Sequence, residues 1–328
     1  MTFLEQLRQA ARQALKDGAE VVLGWRECHD PVRYAPLFAE TPEACEALLF
    51  GPGSVQNLAG YLYGKKGTKV AVLVKGCDSR SVAQLLSEGL LRREDLTIIG
   101  LPCAGVLDRA RVRAAVAGRA VTCVVVDEAA GTATLTTSGG EADVSLDEVL
   151  DERCLRCRFP NPVLADVTLG PERSVREPEG GRDADLDAFL EQPVEVRFRH
   201  WERELGRCVR CYACRNACPL CVCRDHCLAE TRSPGWLSQS SSVRDKLMFQ
   251  VIHAMHTAGR CTECGECQRA CPMDIPVLAM KRVLNREAEA LFGHVAGTDP
   301  AGVAPLLTFQ AVEENISDHD GQDKGETP

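Results

Sequence analysis

Residues 208–219 read CVRCYACRNACP, and residues 261–272 repeat the pattern as CTECGECQRACP. Each run sets three cysteines two residues apart, places a fourth three residues further on, and ends in proline. Two-residue gaps let three thiolates converge on one cubane while backbone N–H groups point at its sulfides. In two-cluster proteins the fourth cysteine, followed by proline, ligates the other cluster. The spacing therefore predicts a crossed arrangement. Cys208, Cys211, Cys214 and Cys271 hold one 4Fe–4S cluster, and Cys261, Cys264, Cys267 and Cys218 hold the second. Zinc ribbons use two separated Cys-x-x-Cys pairs, and two complete four-cysteine runs do not fit that pattern. Centres of this kind pass single electrons, and with every position ligated they perform no bond chemistry.

Outward from the pair, cysteine usage points the same way. Of 18 cysteines, eleven lie between residues 208 and 271 and five before residue 150. In a reducing compartment such a number signals metal or catalysis rather than disulfides. Cys221, Cys223 and Cys227, with His226 nearby, are either a fourth metal site or thiols packed under the ferredoxin fold. His253 and His256 fall on a predicted helix beside the second run, where packing is the expected role. Cys28 and His29 sit in a loop with solvated or capping roles, and Cys45 reads as structural.

Upstream, the chain alternates between two periods. Residues 1–18 form an amphipathic helix with Phe3, Leu4, Leu7, Ala11 and Leu15 on one stripe. Strands are expected at 19–25, 69–75, 96–101 and 121–127, with helices near 79–91 and 107–117, and a hairpin at 132–148. That alternation predicts an α/β layer with a mixed, largely parallel sheet. Cys123, in its strand, reads as a small core residue. Residues 171–185 are charged and rich in Pro and Gly, so they are expected to be an exposed linker or long loop. A helix over 186–206 then leads into a mostly α-helical dicluster ferredoxin domain. The expected domains are 1–170, a 171–200 linker and helix, 201–290, and a 291–328 tail whose acidic end, beyond Gln310, lacks the composition for order.

Cys154-Leu-Arg-Cys157 supplies two ligands where four are needed. Cys77 and Cys103 each follow a predicted strand, and parallel pairing would bring both to the carboxyl ends, where α/β sheets place ligands. They are either the missing pair or small core residues. Lys75 and Arg80 flank Cys77 at a strand-to-helix turn, where they either hold an anionic cofactor or tune a cluster. Ser79 is the expected helix cap.

Composition excludes other classes. Formal net charge is −9, which argues against a nucleic-acid footprint. No apolar run reaches the roughly 18–20 residues needed to span a bilayer, and residues 1–18 lack a signal-peptide core, so a cytoplasmic location is expected. No Gly-x-Gly-x-x-Gly or P-loop pattern occurs.

VLVKGCDSRSVAQLL (72–86), IIGLPC (98–103), ERCLRCRFPNPVLADVTLG (152–170), GRCVRCYACRNACPLCVC (206–223) and LMFQVIHAMHTAGRCTECGECQRACPMDIPV (247–277) resemble the beta subunits of coenzyme F420-reducing hydrogenases and formate dehydrogenases. The last two stretches are closest to the formate dehydrogenase branch. The resemblance implies a third cluster on Cys77, Cys103, Cys154 and Cys157, with FAD beside it as a candidate cofactor. It also implies an electron-transfer subunit within a larger complex that includes a dehydrogenase or hydrogenase. Members that reduce the deazaflavin carry a Gly-Gly-x-x-Thr segment where this chain has MTFLEQLRQAARQALKDGAE, and a chain of this shortened kind would fit an adaptor to a heterodisulfide-reductase-like complex. The alternatives are a flavin-dependent F420 oxidoreductase and a zinc scaffold without redox function. The sequence shows no catalytic dyad, so a subunit without a reaction of its own is the leading expectation.

Overall fold

The computed structural model describes residues 1–223, 227, 229 and 235–308. The sequence expectations for His226 and for the tail beyond Gln310 lie outside the described residues.

VAVLV at β3 (Val70–Val74) is buried at every position and forms the centre of the main sheet. A strand covered on both faces reads as a continuous apolar run rather than an alternation. β1 (Val21–Arg26) and β4 (Leu96–Gly100) flank it in parallel, with Val72 opposite Leu23 and Ile98. β2 (Ala35–Ala39), which the sequence did not reveal, adds an antiparallel edge, and the two-residue β8 (Val167–Thr168) adds a parallel one. The order is β2-β1-β3-β4-β8. α1 (Phe3–Lys16) begins with a Thr2–Glu5 capping box and buries Leu7, Ala11 and Ala14 in the same core as Val22 and Val72.

β5 (Val121–Asp127) does not continue this sheet. It pairs antiparallel with β6 (Thr132–Thr137), which pairs with β7 (Gly140–Ser145), in a separate three-stranded sheet. A register shift between Val121 and Cys123 lets Val121, Val124 and Val126 pack on Leu135 and Val112. A bulge of this kind puts two consecutive side chains outside. Thr122 and Cys123 are both exposed, so Cys123 is not a core residue.

α2 (Ala59–Leu62) precedes α3 (Gly76–Ser87), which leaves the carboxyl end of β3 three residues earlier than the sequence suggests. Its cap is also different. Lys75 is the N-cap, and its N–H donates to Asp78 Oδ2 at 3.3 Å. Ser79 lies inside the first turn, donating to the Gly76 carbonyl and accepting from the Val163 N–H, both at 2.9 Å. α4 (Arg109–Ala115), α5 (Leu146–Val149) and α6 (Glu152–Leu155) complete this half.

The expected single helix over 186–206 is two, α7 (Ala184–Leu190) and α8 (Val194–Gly206), broken at Pro193, which precedes the second helix. α9 (Ala213–Ala217), α10 (Val243–Met255), α11 (Glu266–Arg269) and α12 (Val277–Phe292) surround a core of Leu205, Phe249, Ile275, Val277, Leu278 and the motif cysteines.

α3 joins the halves. Ser79, Arg80, Ser81 and Gln84 are polar and buried. Arg80 donates to the Ala296 carbonyl at 3.0 and 2.6 Å and to the Thr262 carbonyl at 3.0 Å. Ser81 meets Thr262 at 2.8 Å, and Arg260 donates to Glu88 at 2.6 Å. Buried polar groups persist only when bonded, so the hydrophilic side of α3 requires the ferredoxin half as its cover.

Candidate metal centres

The two cysteine runs fold as near copies. Arg210 and Tyr212 in the first run, and Glu263 and Gly265 at the matching places in the second, take left-handed backbone angles of 52°, 59°, 56° and 71°. For residues with a Cβ this conformation costs roughly 1–2 kcal/mol each. Such turns aim successive N–H groups inward as an anion-binding concavity. In the first run the Arg210 N–H donates to Cys208 Sγ at 3.3 Å.

Cys208, Cys211, Cys214 and Cys271 line one small cavity with Tyr212, Phe249, Gln250, Met273, Ile275 and Val277. The crossed set expected from the spacing is thus brought together. Gln250 Nε2 lies 3.7 Å from Cys214 Sγ. Cys211 is exposed and its neighbour Val209 is 60% exposed, so this set lies at the surface.

Cys261, Cys264 and Cys267 are buried. Burial, with Cys218 as a smaller cause, pushes each thiol up to about 12. Thiols held this way are neutral until a cation displaces the protons, the behaviour of a site built for metal. Cys218, Cys221 and His253 have ligand atoms within 4.8 Å of one another. Cys221 hydrogen-bonds to Cys218, which holds Cys218 well below the usual thiol range and pushes Cys221 up. His253 Nε2 stands 3.2 Å from Lys281 Nζ. An ammonium can only donate, so that ring nitrogen accepts and is occupied. Cys223 is exposed.

Cys77, Cys103, Cys154 and Cys157 line a second cavity, of about 580 Å³. Val74 and Gly100 are register partners, so Cys77 and Cys103 leave adjacent parallel strands at their carboxyl ends. Gly76 lies so close to the chain carrying Cys157 that a Cβ there would run into the Phe159 carbonyl. The Gly105 N–H donates to Cys103 Sγ and the Val106 N–H to Cys154 Sγ, both at 3.4 Å. Burial pushes Cys103 up to about 11 and Cys154 up to about 12.

Lys75 and Arg80 both line this cavity. The Lys75 ammonium is 2.8 Å from Asp78, 2.9 Å from the Gln56 carbonyl and 4.2 Å above the Trp25 ring. Arg80 stacks on Phe159 at 4.2 Å while bonding the carbonyls across the domain boundary. Both charges are engaged within the protein. Sequence reasoning missed the other cations of the wall: Arg153, Arg156, Arg158, Arg173, Arg176, Arg182, Arg282 and Arg286. Arg173 and Arg182 come from residues 171–185, a long and mostly exposed loop that also supplies part of the cavity wall. Arg158 pairs with Glu289 at 2.6 and 2.8 Å, and Arg282 with Asp183 and Asp185. Arg156 has no ion pair among the described residues; burial and the Arg282 charge hold its pKa below the usual arginine value. Arg156 and Arg158 flank Cys157 in CLRCR, a signal visible in the sequence, whereas Arg282 arrives only through folding.

Residues 67–182 match the family model for the C terminus of the coenzyme F420 hydrogenase/dehydrogenase beta subunit, and residues 204–275 match the 4Fe-4S dicluster domain. The chain is 24% identical over 307 aligned residues to the F420-dependent formate dehydrogenase subunit beta of Methanocaldococcus jannaschii, covering 77% of this chain and 79% of that one. It is 23% identical over 289 residues to the F420-dependent formate dehydrogenase 1 subunit beta of Methanococcus maripaludis, covering 70% and 73%. A chain of the F420-reducing NiFe hydrogenase complex from Methanosarcina barkeri aligns at a TM-score of 0.34 and 17% identity, over 47% of this chain and 61% of that one. Among the described residues no helix is long and apolar enough to cross a membrane.

Proposed function

We propose, from a chain that joins a coenzyme F420 hydrogenase/dehydrogenase beta-subunit domain to a 4Fe–4S dicluster domain, that this protein is the electron-transfer subunit of a dehydrogenase or hydrogenase complex. The observation that carries the reading is the convergence of Cys208, Cys211, Cys214 and Cys271 on one cavity and of Cys77, Cys103, Cys154 and Cys157 on another, with Cys218 close enough to act on the buried thiols of Cys261, Cys264 and Cys267. Bound 4Fe–4S clusters would supply one-electron redox steps, and a bound flavin would exchange electron pairs for single electrons.

This chain's residues divide the work. Cys208, Cys211, Cys214 and Cys271 hold a surface centre, and Val209 beside Cys211 leaves it open to a redox partner. Cys261, Cys264, Cys267 and Cys218 hold a buried one. Cys77, Cys103, Cys154 and Cys157 hold a third beside the arginine-walled cavity. FAD fits that cavity by volume and charge: pockets of a few hundred cubic ångströms suit such ligands. Arg156, without a carboxylate partner among the described residues, would take an anionic group. The clusters thus form a relay from the cavity to the exposed face, and the complex partner at that face is a dehydrogenase, a hydrogenase or a heterodisulfide-reductase-like protein.

The cavity supports a second reading, a flavin-dependent F420 oxidoreductase in the same complex, because the 24% identical relative is named for that coenzyme. Anaerobic iron, sulfide and flavin analysis of the purified protein tests both. About twelve irons per chain, the number for three cubanes, supports the relay. Stoichiometric FAD together with F420 reduction favours the second reading. Zinc in place of iron contradicts both.

A further inference from the structure

Lys281 lies on α12, is 2% exposed, and has no carboxylate within ion-pair reach among the described residues. Its ammonium donates to Thr257 Oγ1 at 2.9 Å, to His253 Nε2 at 3.2 Å and to the His253 carbonyl at 3.5 Å. All three N–H bonds are therefore spent on neutral acceptors. A buried ammonium without an opposite charge is strongly disfavoured, so the fold must place negative charge near it. His253 is within 4.8 Å of the Cys218 and Cys221 sulfurs, which sets Lys281 beside the buried cysteine set. The cysteines that act on it most strongly are Cys218, Cys267, Cys261 and Cys221, and metal binding would turn the ligands among them into thiolates. Cys214, of the surface set, also feels it.

Lys75 is the useful contrast. It is equally buried and faces Cys77 and Cys103, but Asp78 at 2.8 Å cancels its charge. Lys75 is thus neutralised by a carboxylate in contact, and the positive charge beside the cavity cysteines comes from arginines such as Arg80 and Arg153; Lys281 has no such carboxylate among the described residues.

We infer that Lys281 is the charge that raises the reduction potential of the centre held by Cys261, Cys264, Cys267 and Cys218. The inference rests on the iron–sulfur relay reading. Reduction adds one electron and one negative charge to the centre, with no bond made or broken and no proton taken up. A fixed positive charge nearby stabilises that added electron more than the oxidised form. The buried centre then holds the electron more firmly than the same cysteines would without Lys281. Lys281 acts through space and touches no reacting atom, so it is a positioning residue for charge rather than a ligand.

Lys281→Gln removes the charge and keeps a donor for Thr257. Lys281→Met keeps the length without donor or charge, and Lys281→Arg restores the charge. Each full-length protein is purified anaerobically, its iron counted, and its centres titrated potentiometrically with EPR detection. In Lys281→Gln and Lys281→Met, with full iron content, one midpoint is expected to fall so that its reduction equilibrium weakens at least tenfold, or 59 mV for one electron. The remaining midpoints move by less, and Lys281→Arg stays near wild type. Unmoved potentials in either neutral variant at full iron content overturn the inference. So does loss of iron in both neutral variants, which would make Lys281 a requirement for assembly rather than a tuning charge. An iron-free wild-type protein would instead sink the relay reading itself, so the two failures are distinguishable.

Discussion

Cys77 and Cys103 face a cavity of about 580 Å³ walled by arginines, whereas Cys261 and Cys267 sit in apolar packing with Ile275 and Leu278. Both regions gather thiols, yet they do so by different means. The first borrows the carboxyl ends of two parallel strands, so its ligands come from positions 77 to 157 and depend on the whole α/β domain. The second is made locally from two short loops whose left-handed residues point N–H groups inward. One site is open toward a ligand and the other is sealed. An open centre suits exchange with a bound cofactor, and a sealed one suits passage of electrons.

The contrast can be broken most severely at the sealed site. Cys264→Ser should remove about four irons and expose the core around Phe249, with an expected loss of several kcal/mol because the bound metal is part of the folding free energy. Iron content and thermal unfolding under anaerobic conditions check it. If the cavity set keeps its iron in that variant, the two regions assemble independently.

Arg80→Ala attacks the seam between the regions. It leaves the Ala296 and Thr262 carbonyls without their donor, at a cost of about 2–4 kcal/mol for three charge-assisted bonds. Limited proteolysis should cut the protein between the halves faster than wild type, and denaturant unfolding should lose cooperativity.

Gly76→Ala tests the strand-end geometry alone. The new Cβ meets the Phe159 carbonyl, so the chain carrying Cys157 must move, costing about 1–3 kcal/mol. The iron of the cavity set should fall while the dicluster iron is retained, as read by iron quantitation and EPR.

The smallest effect concerns the cavity wall. The Arg158 hydrogen bond holds the Glu289 carboxyl below its usual value, with burial opposing. A depressed carboxylate contributes stability that is full above the unfolded value, about 4.5, and is lost as pH falls through the folded one. Both side chains are partly exposed, so the contribution is at most about 0.5–1 kcal/mol. Glu289→Gln should lower stability by that amount at pH 7 and flatten its dependence on pH below about 4.5, as measured by denaturant midpoints.

These differences explain what the sequence disclosed. The dicluster motif is local, so its spacing was enough to predict the crossed pairing, and Cys271 meets Cys208, Cys211 and Cys214 around one cavity. Cys77 and Cys103 were reachable one step later, because adjacent parallel strands bring their carboxyl ends together. Arg80, Ser81 and Gln84 on α3 look like a solvated face, and their bonds lie more than 180 residues away in the ferredoxin half. Cys123 looked buried because Val121–Asp127 is apolar, but a bulge turned it outward. Arg173 and Arg182 hid in a segment whose Pro and Gly content reads as linker. Lys281 carried no signal at all, since a lysine on a helix is ordinarily at the surface.

The central claim is that a third centre stands apart from the two in the repeated motifs. Iron and sulfide counted per chain, with EPR of the reduced protein, in wild type and in a Cys77→Ser/Cys154→Ser double variant, test it most directly. The expected result is about twelve irons falling to about eight, with the dicluster signals intact. About eight irons in both proteins would contradict it.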